Sequence, residues 1–252
     1  LSTLSPGCRC DVPANRYSFS SAPNPDWSST YAAQPEIRTY LQGVAADRDL
    51  LRFIRFGCPL QGAQWDGDAQ RWILTTPSGE IRARFLALGT GALAEPAVPD
   101  LPGLAAFEGD VFHSAQWRSD LDLRGRTVAV IGTGASAVQF LPQIQPAVAH
   151  IDLYQRTPSW VMPHPNKPVP AWRRRLYRRF PALQRAVRAG VYLRNELSII
   201  GFKYRPQLME KAKLRAIANI HGAIADPVLR QKLTPTYTVG CKRVLISSDF
   251  YP

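Results

Sequence analysis

The stretch Thr127-Val128-Ala-Val-Ile131-Gly132-Thr133-Gly134-Ala135-Ser136-Ala137, followed by His150-Ile-Asp-Leu-Tyr154, decides the fold. Val128 to Ile131 is a continuous apolar run, the pattern of a parallel strand buried on both faces. Gly132 then permits a tight turn, Gly134 lets the backbone approach a pyrophosphate, and Ala137 stands where the usual third glycine need only be small. The pattern continues as a helix to Ile144, with Pro142 near its end, and the second strand follows. This is the front of a Rossmann unit, and Gly132, Thr133, Gly134, Ala135 and Ser136 are its expected phosphate-binding residues. After the second strand, enzymes that use NAD place an acid for the ribose 2′-hydroxyl. Here the chain reads Gln155-Arg156-Thr157, which points to NADP, with Arg156 pairing the 2′-phosphate. The competing reading of Arg156 is a solvated charge at a strand end.

Working outward, a helix is expected from Pro35 to Asp47, where Ile37, Tyr40, Leu41, Val44 and Ala45 share a face. Short strands are expected at Leu51 to Phe56, Gln61 to Trp65, Arg71 to Thr76 and Ile81 to Leu88, forming an antiparallel meander. A second glycine motif at Gly89 to Ala94 is rejected as a nucleotide site. Prolines at 96, 99 and 102 forbid the helix that must follow it, so an interdomain crossing is expected instead. Beyond Pro170 the apolar residues Trp172, Leu176, Phe180, Leu183, Val187 and Val191 recur at helical spacing, broken at Pro181, and Glu210 to Asn219 is a further candidate helix.

The chain has 252 residues, enough for a sizeable core in one or two domains. Its longest apolar runs fall far short of the roughly 18 residues a membrane span needs. The first residues lack an initiating Met and the features of a secretory signal. Four cysteines offer one close pair, Cys8 and Cys10, spaced too tightly for the usual zinc motifs. No metal is expected, and free thiols fit a reducing cytoplasm. The net charge of +12 is uneven. Residues 165–243 hold 18 Lys or Arg against 3 Asp or Glu. Such a segment suits an anionic partner, whether nucleic acid, membrane or a phosphorylated cofactor, but the arginines interleave with a helix-period apolar stripe and match no nucleic-acid motif. A basic helical cap is the simpler reading, and no nucleic-acid partner is expected.

One further run carries more information than any other: Phe107-Glu-Gly109-Asp-Val-Phe-His113-Ser-Ala-Gln-Trp117. Its F-x-G-x-x-x-H-x-x-x-W spacing, just ahead of the glycine turn, resembles the fingerprint of Baeyer-Villiger monooxygenases, flavin enzymes that insert oxygen beside a ketone. Other segments resemble the family in its own order: Pro6-Gly-Cys-Arg9-Cys10-Asp11-Val12-Pro, Tyr17-Ser-Phe-Ser, Pro25-Asp-Trp27, Gln34-Pro-Glu-Ile, Gly89-Thr-Gly91, Gln155-Arg-Thr-Pro158 and Gly240-Cys-Lys242-Arg243. One departure stands out, Arg118 where the family usually has Pro or Asp.

The resemblance implies an α/β, two-dinucleotide-binding-domain flavoprotein: a Rossmann-like NADP domain with a helical insertion, plus a partial FAD domain carrying the meander. The expected division is 1–95 partial FAD domain, 96–118 linker with the fingerprint, 119–164 NADP domain, 165–236 basic helical insertion and 237–252 return to the NADP domain. Residues 1–88 contain no G-x-G-x-x-G for FAD, so the chain is expected to be an internal fragment that holds FAD weakly when alone. The implied cofactors are FAD and NADP(H), and the implied substrates are O2 with a ketone or, alternatively, a heteroatom compound. Arg243 matches the arginine that stabilises the anionic flavin peroxide, and a permanently charged guanidinium suits that task. Asp11 matches the carboxylate that holds this arginine. Lys242 and Arg156 match residues reaching the 2′-phosphate, and Arg9, Cys10, Val12, Tyr17, Gln34 and Thr157 fall in cofactor-contacting segments. Outside the resemblance, the favoured readings are a helix or turn cap for Asp11 and a surface basic pair for Lys242 and Arg243; position in the family's order reverses that preference. His113 reads as a hydrogen-bonded structural residue, for which the family implies a linker role rather than proton transfer.

Overall fold

The structure, a computed structural model, describes residues 5–91 and 95–251. Residues 92–94 of the expected crossing and Leu1 to Leu4 of the N-terminal run lie outside the described residues. Two compact units are present, one built from the chain up to Tyr40 together with Leu101 onward, the other from Leu41–Asp100.

In the larger unit the N-terminal segment forms a short helix α1 (Ala14–Tyr17) and enters helix α2 (Gln34–Asp47), with Pro35 in the first turn as its sequence suggests. Ala14, Trp27 and Ala32 are buried together, with Ile37 and Tyr40 against them. The polar edges of this cluster are satisfied. Trp27 Nε1 donates to Ser18 Oγ at 3.0 Å, and Tyr40 Oη accepts from the Phe19 amide and donates to the Ala22 carbonyl, both at 2.8 Å.

The smaller unit is the expected meander, β1 (Gly62–Asp66), β2 (Arg71–Thr76) and β3 (Gly79–Ala83), paired antiparallel in sequence order. Trp65 and Trp72 face each other across β1 and β2 with ring centroids 5.6 Å apart. Two expectations are corrected. Leu51–Phe53 is a single 3-10 turn, not part of a strand: Asp49 takes φ 50° and the Leu50 amide bonds back to Ala45, so α2 ends in a reversal that leaves these apolar residues without a partner strand. Strand β3 stops at Ala83 and not Leu88, because its register with β2 runs out there, and Phe85 is exposed.

The larger unit resumes with β4 (Thr127–Ile131), helix α3 (Ala137–Ile144) and β5 (His150–Tyr154), with β4 and β5 parallel and in register from Thr127–His150 to Ile131–Tyr154. Val130 packs against Ala137, Phe140, Leu141 and Ile144 of α3. Burying side chains of this size stabilises by about 1.5–3 kcal/mol each. The expectation that β4 is buried throughout holds only at Val130. Among the described residues β4 pairs with β5 alone, so Ile131 and Tyr154, at the glycine-turn end, are each 58% exposed.

After β5 a two-residue strand β6 (Val161–Met162) pairs in parallel with β7 (Leu245–Ile246). Between them, among the described residues, lie the α-helices α4 (Ala171–Arg179), α5 (Pro181–Ile199), α6 (Glu210–Ala223) and α7 (Pro227–Leu233), with a π-helical and a 3-10 turn joining α5 to α6. The break between α4 and α5 falls where Pro181 begins a new helix. Helix α7 and the β6–β7 pair were not expected from sequence. Trp160, Ala216 and Val239 are buried together, and Trp160 Nε1 donates to the Tyr237 carbonyl at 3.0 Å. No helix among the described residues is long and apolar enough to cross a membrane.

Candidate nucleotide and ion-pair site

The glycine turn has the geometry its sequence requires. Gly132 sits at φ 103°, where side-chain-bearing residues are strained, and its amide donates to the Tyr154 carbonyl at 2.8 Å, tying the turn to the end of β5. The first helical bond runs from the Val138 amide to the Gly134 carbonyl. The amides of Thr133, Gly134, Ala135 and Ser136 have no partner among the described residues. They form a row of donors at the positive end of α3, the arrangement that receives a phosphate. A Cβ on Gly134 would meet nothing within 4 Å, so the space before the loop is open. Thr133 is buried, and its carbonyl accepts from Ser159 Oγ at 3.2 Å. These features fit a dinucleotide pyrophosphate.

At the end of β5, Arg156 is exposed and lines a cavity of about 1040 Å³, together with Gln155, Lys232 and the apolar Leu141, Leu153 and Leu229. Lys232 lies on α7, and its carbonyl accepts from Gln155 Nε2 at 3.4 Å. It is a second cation on the wall of the same cavity that the sequence reading missed, because nothing local marks it out from its basic neighbours. Lys242 has its amine 5.0 Å from the Tyr237 ring centroid, and it is not among the residues that line this cavity. Tyr251, also on the cavity wall, has its hydroxyl pushed up to about 12 by burial.

Asp11 and Arg243, 232 residues apart, form an ion pair between Asp11 Oδ2 and Arg243 Nη2. The cap alternative for Asp11 is not what the structure has, since α1 is preceded by Pro13 with no side-chain cap. The segment carrying Asp11 is fixed from three sides. Gln139, on α3, donates from Nε2 to the Arg9 carbonyl at 3.3 Å and accepts the Arg9 amide on Oε1 at 3.2 Å. The Cys10 amide donates to Ala32 and the Gln34 amide to Cys8, both at 3.0 Å. On α5, Arg188 Nη1 donates to the carbonyls of Asn15 at 2.9 Å, Arg16 at 3.2 Å and Ser18, while the buried Gln184 donates to Asn15 Oδ1 and the Asn24 carbonyl. Asn166 Oδ1 accepts from the Tyr31 amide at 2.9 Å. Gln139, Arg188 and Asn166 were all missed in sequence, and only the lone Asn in a proline-rich stretch offered a signal.

Among the other sequence-predicted residues, Cys10 is buried and Cys8 half-buried, and burial pushes both thiols up, so neither is a ready thiolate. Val12 and Thr157 are half-buried, Tyr17 is exposed, and Gln34 begins α2. In the fingerprint, Gly109 lies against the ring of the exposed Phe107, and a Cβ there would come within 2.5 Å of the ring edge. His113 Nδ1 accepts from the Ala115 amide at 3.1 Å, the hydrogen-bonded structural role expected of it. Trp117 packs on Phe112 and Phe140, joining the fingerprint to the core of the βαβ unit. Arg118 pairs with Asp120 at 2.7 Å and faces Asp110 at 3.8 Å.

A parallel βαβ unit with an open glycine turn, a helical excursion and a separate meander is the fold of two-dinucleotide-binding-domain flavoproteins. Comparison with known proteins agrees. The model of the family described as "FMO-like: Flavin-binding monooxygenase-like" matches residues 11–195. A Baeyer-Villiger monooxygenase of Pseudomonas aeruginosa is 46% identical over 248 residues, covering 98% of this chain and 47% of that protein. One of Streptomyces coelicolor is 45% identical over 247 residues, covering 98% and 48%. Among solved structures, an oxidised steroid monooxygenase bound to NADP superposes with a TM-score of 0.82 at 30% identity, covering 99% of this chain and 55% of that one. A cyclohexanone monooxygenase bound to ε-caprolactone gives 0.82 at 27% identity, covering 99% and 56%. The chain belongs to the flavin-binding monooxygenase-like family. It spans about half the length of the curated relatives it matches.

Proposed function

We propose that this chain is the NADP-binding part, with a portion of the flavin-binding part, of an FAD- and NADPH-dependent monooxygenase that converts ketones to esters or lactones. The observation that carries this reading is the Asp11–Arg243 pair, formed across 232 residues on the same unit as the open glycine turn. Its match to two relatives named Baeyer-Villiger monooxygenase supports the ketone as substrate. In this reading the domain limits are those expected from sequence, and the segment between Asp11 and Gln34 meets the flavin.

The free amides of Thr133 to Ser136 bind the NADP pyrophosphate, and Arg156 holds the 2′-phosphate with Lys232 near it. Lys242, parked over Tyr237, is within side-chain reach of the adjoining Arg243 site and adds positive charge there. FAD, when bound, supplies the activation of O2. Arg243 provides a fixed positive charge that favours an anion beside it and gives up no proton. Asp11 orients that guanidinium and balances its charge when no anion is present. Burial of Cys10 and the backbone bonds from Cys8 to Gln34 hold the Asp11 segment in place.

The test has two parts. Calorimetric titration of the chain with NADP+ and NAD+ should show NADP+ preferred, and Arg156→Ala should remove the preference. Product analysis of the whole monooxygenase of which this chain is proposed to be part, with NADPH, FAD and O2 on a cyclic ketone and on an organic sulfide, should give lactone. Sulfoxide without lactone would replace the ketone reading by heteroatom oxygenation, and equal affinity for the two nucleotides would refute the NADP assignment.

A further inference from the structure

Helix α5 turns one face inward and another outward. The inward face is bonded in place: Gln184 is buried and donates to Asn15 Oδ1 at 3.0 Å, Arg188 Nη1 donates to the Asn15 carbonyl at 2.9 Å, and just ahead of α5 Tyr177 is buried while Arg178 pairs with Asp26 at 2.6 Å. Away from these anchors, Leu183, Ala186, Gly190, Leu193, Leu197 and, at the C-cap, Ile200 recur at steps of three and four residues, which sets them in one stripe along the helix. All six are exposed, Leu193 by 58% and Leu197 by 54%, and a Cβ on Gly190 would meet nothing within 4 Å. A continuous apolar stripe in water marks a contact surface.

Positive charge borders the stripe. Residues 171–200 hold 8 arginines and a single acid, Glu196, and Arg175, Arg179, Arg185 and Arg194 are exposed. Ahead of the stripe, the Arg173 guanidinium lies 5.4 Å from the Trp172 ring centroid and that of Arg179 lies 5.2 Å from the Phe180 centroid, and both rings are more than half exposed. Three kinds of occupant can be weighed against this arrangement. Nucleic acid neutralises the arginines but leaves the leucines in water. A second copy laid along α5 covers the leucines but brings two strongly basic segments together, where like charges repel. A bilayer with anionic headgroups meets both demands. Aliphatic and aromatic side chains enter where headgroups meet acyl chains, and the arginines stay among the phosphates.

We propose that α5 and the end of α4 form a docking face for an anionic lipid bilayer, lying in its surface with Leu183, Leu193, Leu197 and Ile200 toward the acyl chains. The contact is interfacial and reversible, and no segment crosses the bilayer. It goes beyond the oxidation proposed above and does not depend on the nucleotide assignment. The carrying observation is one helix whose inward face is bonded in place while its outward face is both apolar and basic.

Co-sedimentation of the chain with vesicles of phosphatidylserine and phosphatidylcholine, and with vesicles of phosphatidylcholine alone, tests this. The anionic vesicles should carry the chain down, the neutral ones should not, and added salt should release it. Arg179→Gln with Arg185→Gln should weaken binding roughly 25-fold, about fivefold for each charge near the surface. Leu193→Gln with Leu197→Gln should weaken it by at least about tenfold. All four side chains are exposed, so both double variants should melt as wild type does. Equal binding to the two kinds of vesicle would overturn the proposal. So would leucine variants that bind as tightly as wild type, with duplex DNA bound equally well, since the arginines would then be a general polyanion surface. A concentration-dependent dimer that the leucine variants dissolve, without vesicle binding, would assign the face to a second copy and refute the lipid reading. Vesicle binding by this chain but not by the whole monooxygenase would show that the rest of that protein covers the face, and would refute it too. Because the two kinds of vesicle are compared on the unaltered chain, that result decides the matter even if a variant folds poorly.

Discussion

Replacing Gly134 by Ala separates the loop's structural role from its binding role. Gly134 has no left-handed φ, and a Cβ built on it meets no atom within 4 Å, so the folded chain accommodates the methyl without strain. Restricting the unfolded chain should then leave stability unchanged or raise it by about 0.4–1 kcal/mol. The effect on binding is opposite in sign. The methyl occupies the open space where a pyrophosphate must approach the amides of Thr133 to Ser136, and pushing it back weakens at least one charge-assisted bond. Each such bond contributes about 1.5–3 kcal/mol, so Kd for NADP+ should rise by roughly ten- to a hundredfold. Calorimetric titration with NADP+, run beside thermal melting, gives both numbers. Gly132→Ala is the control, because φ 103° strains any side chain at a cost of about 1–3 kcal/mol and should lower Tm. If Gly134→Ala binds NADP+ within about threefold of wild type at unchanged Tm, the pyrophosphate does not lie on this loop.

Four further outcomes are expected. Gly7→Ala should cost about 2–4 kcal/mol in denaturant unfolding, since φ is 71° and a Cβ would sit 2.7 Å from both the Gln139 carbonyl oxygen and Gln143 Cγ. Arg188→Ala should cost about 2–3 kcal/mol by the same measurement, as three backbone carbonyls lose a charged donor, and Arg188→Lys should recover only part. Asp11→Asn should shift Tm little, because the Asp11 and Arg243 side chains are 36% and 62% exposed and such pairs contribute about 0–1 kcal/mol, yet lactone formation should be lost. Finally, burial and then the charge of Arg9 hold His164 below its ordinary 6.5 in the folded state, so the unfolded chain binds the extra proton. Stability should be complete above that pH and decline as pH falls through the lower, folded-state value, and melting curves of His164→Phe should lack this portion of the decline.

The βαβ unit was legible because its signals are local. An apolar run, a glycine turn and a small residue at 137 each act within a few positions, and the observed strand and helix lie within two residues of the expected limits. Leu51 to Phe56 misled for the reason that makes strands hard to read: apolar β-formers become a strand only when a partner is present, and here α2 closes in a turn instead. Ile131 was expected inside and is exposed, since burial of a strand depends on elements distant in sequence. The site divides the same way. The loop from Gly132 to Ser136 could be placed from spacing alone, while the pairing of Asp11 with Arg243 came from resemblance. Gln139, Arg188 and Lys232 carry no local signal at all. Their importance arises from where the chain brings them, and a glutamine or arginine in a row looks the same whether it meets solvent or a backbone carbonyl.

The grip of Gln139 on Arg9 amounts to a β-ladder of one rung, with a primary amide standing in for a neighbouring strand. A real ladder shares its load over many peptides, whereas this rung depends on the rotamer of one side chain rooted in the first turn of α3. Isosteric Gln139→Glu keeps the acceptor for the Arg9 amide but removes the donor, setting a carboxylate against the Arg9 carbonyl. The helix whose start carries the unpartnered amides of Thr133 to Ser136 therefore also sets, one residue later than Val138, the height at which the Asp11 segment is hung.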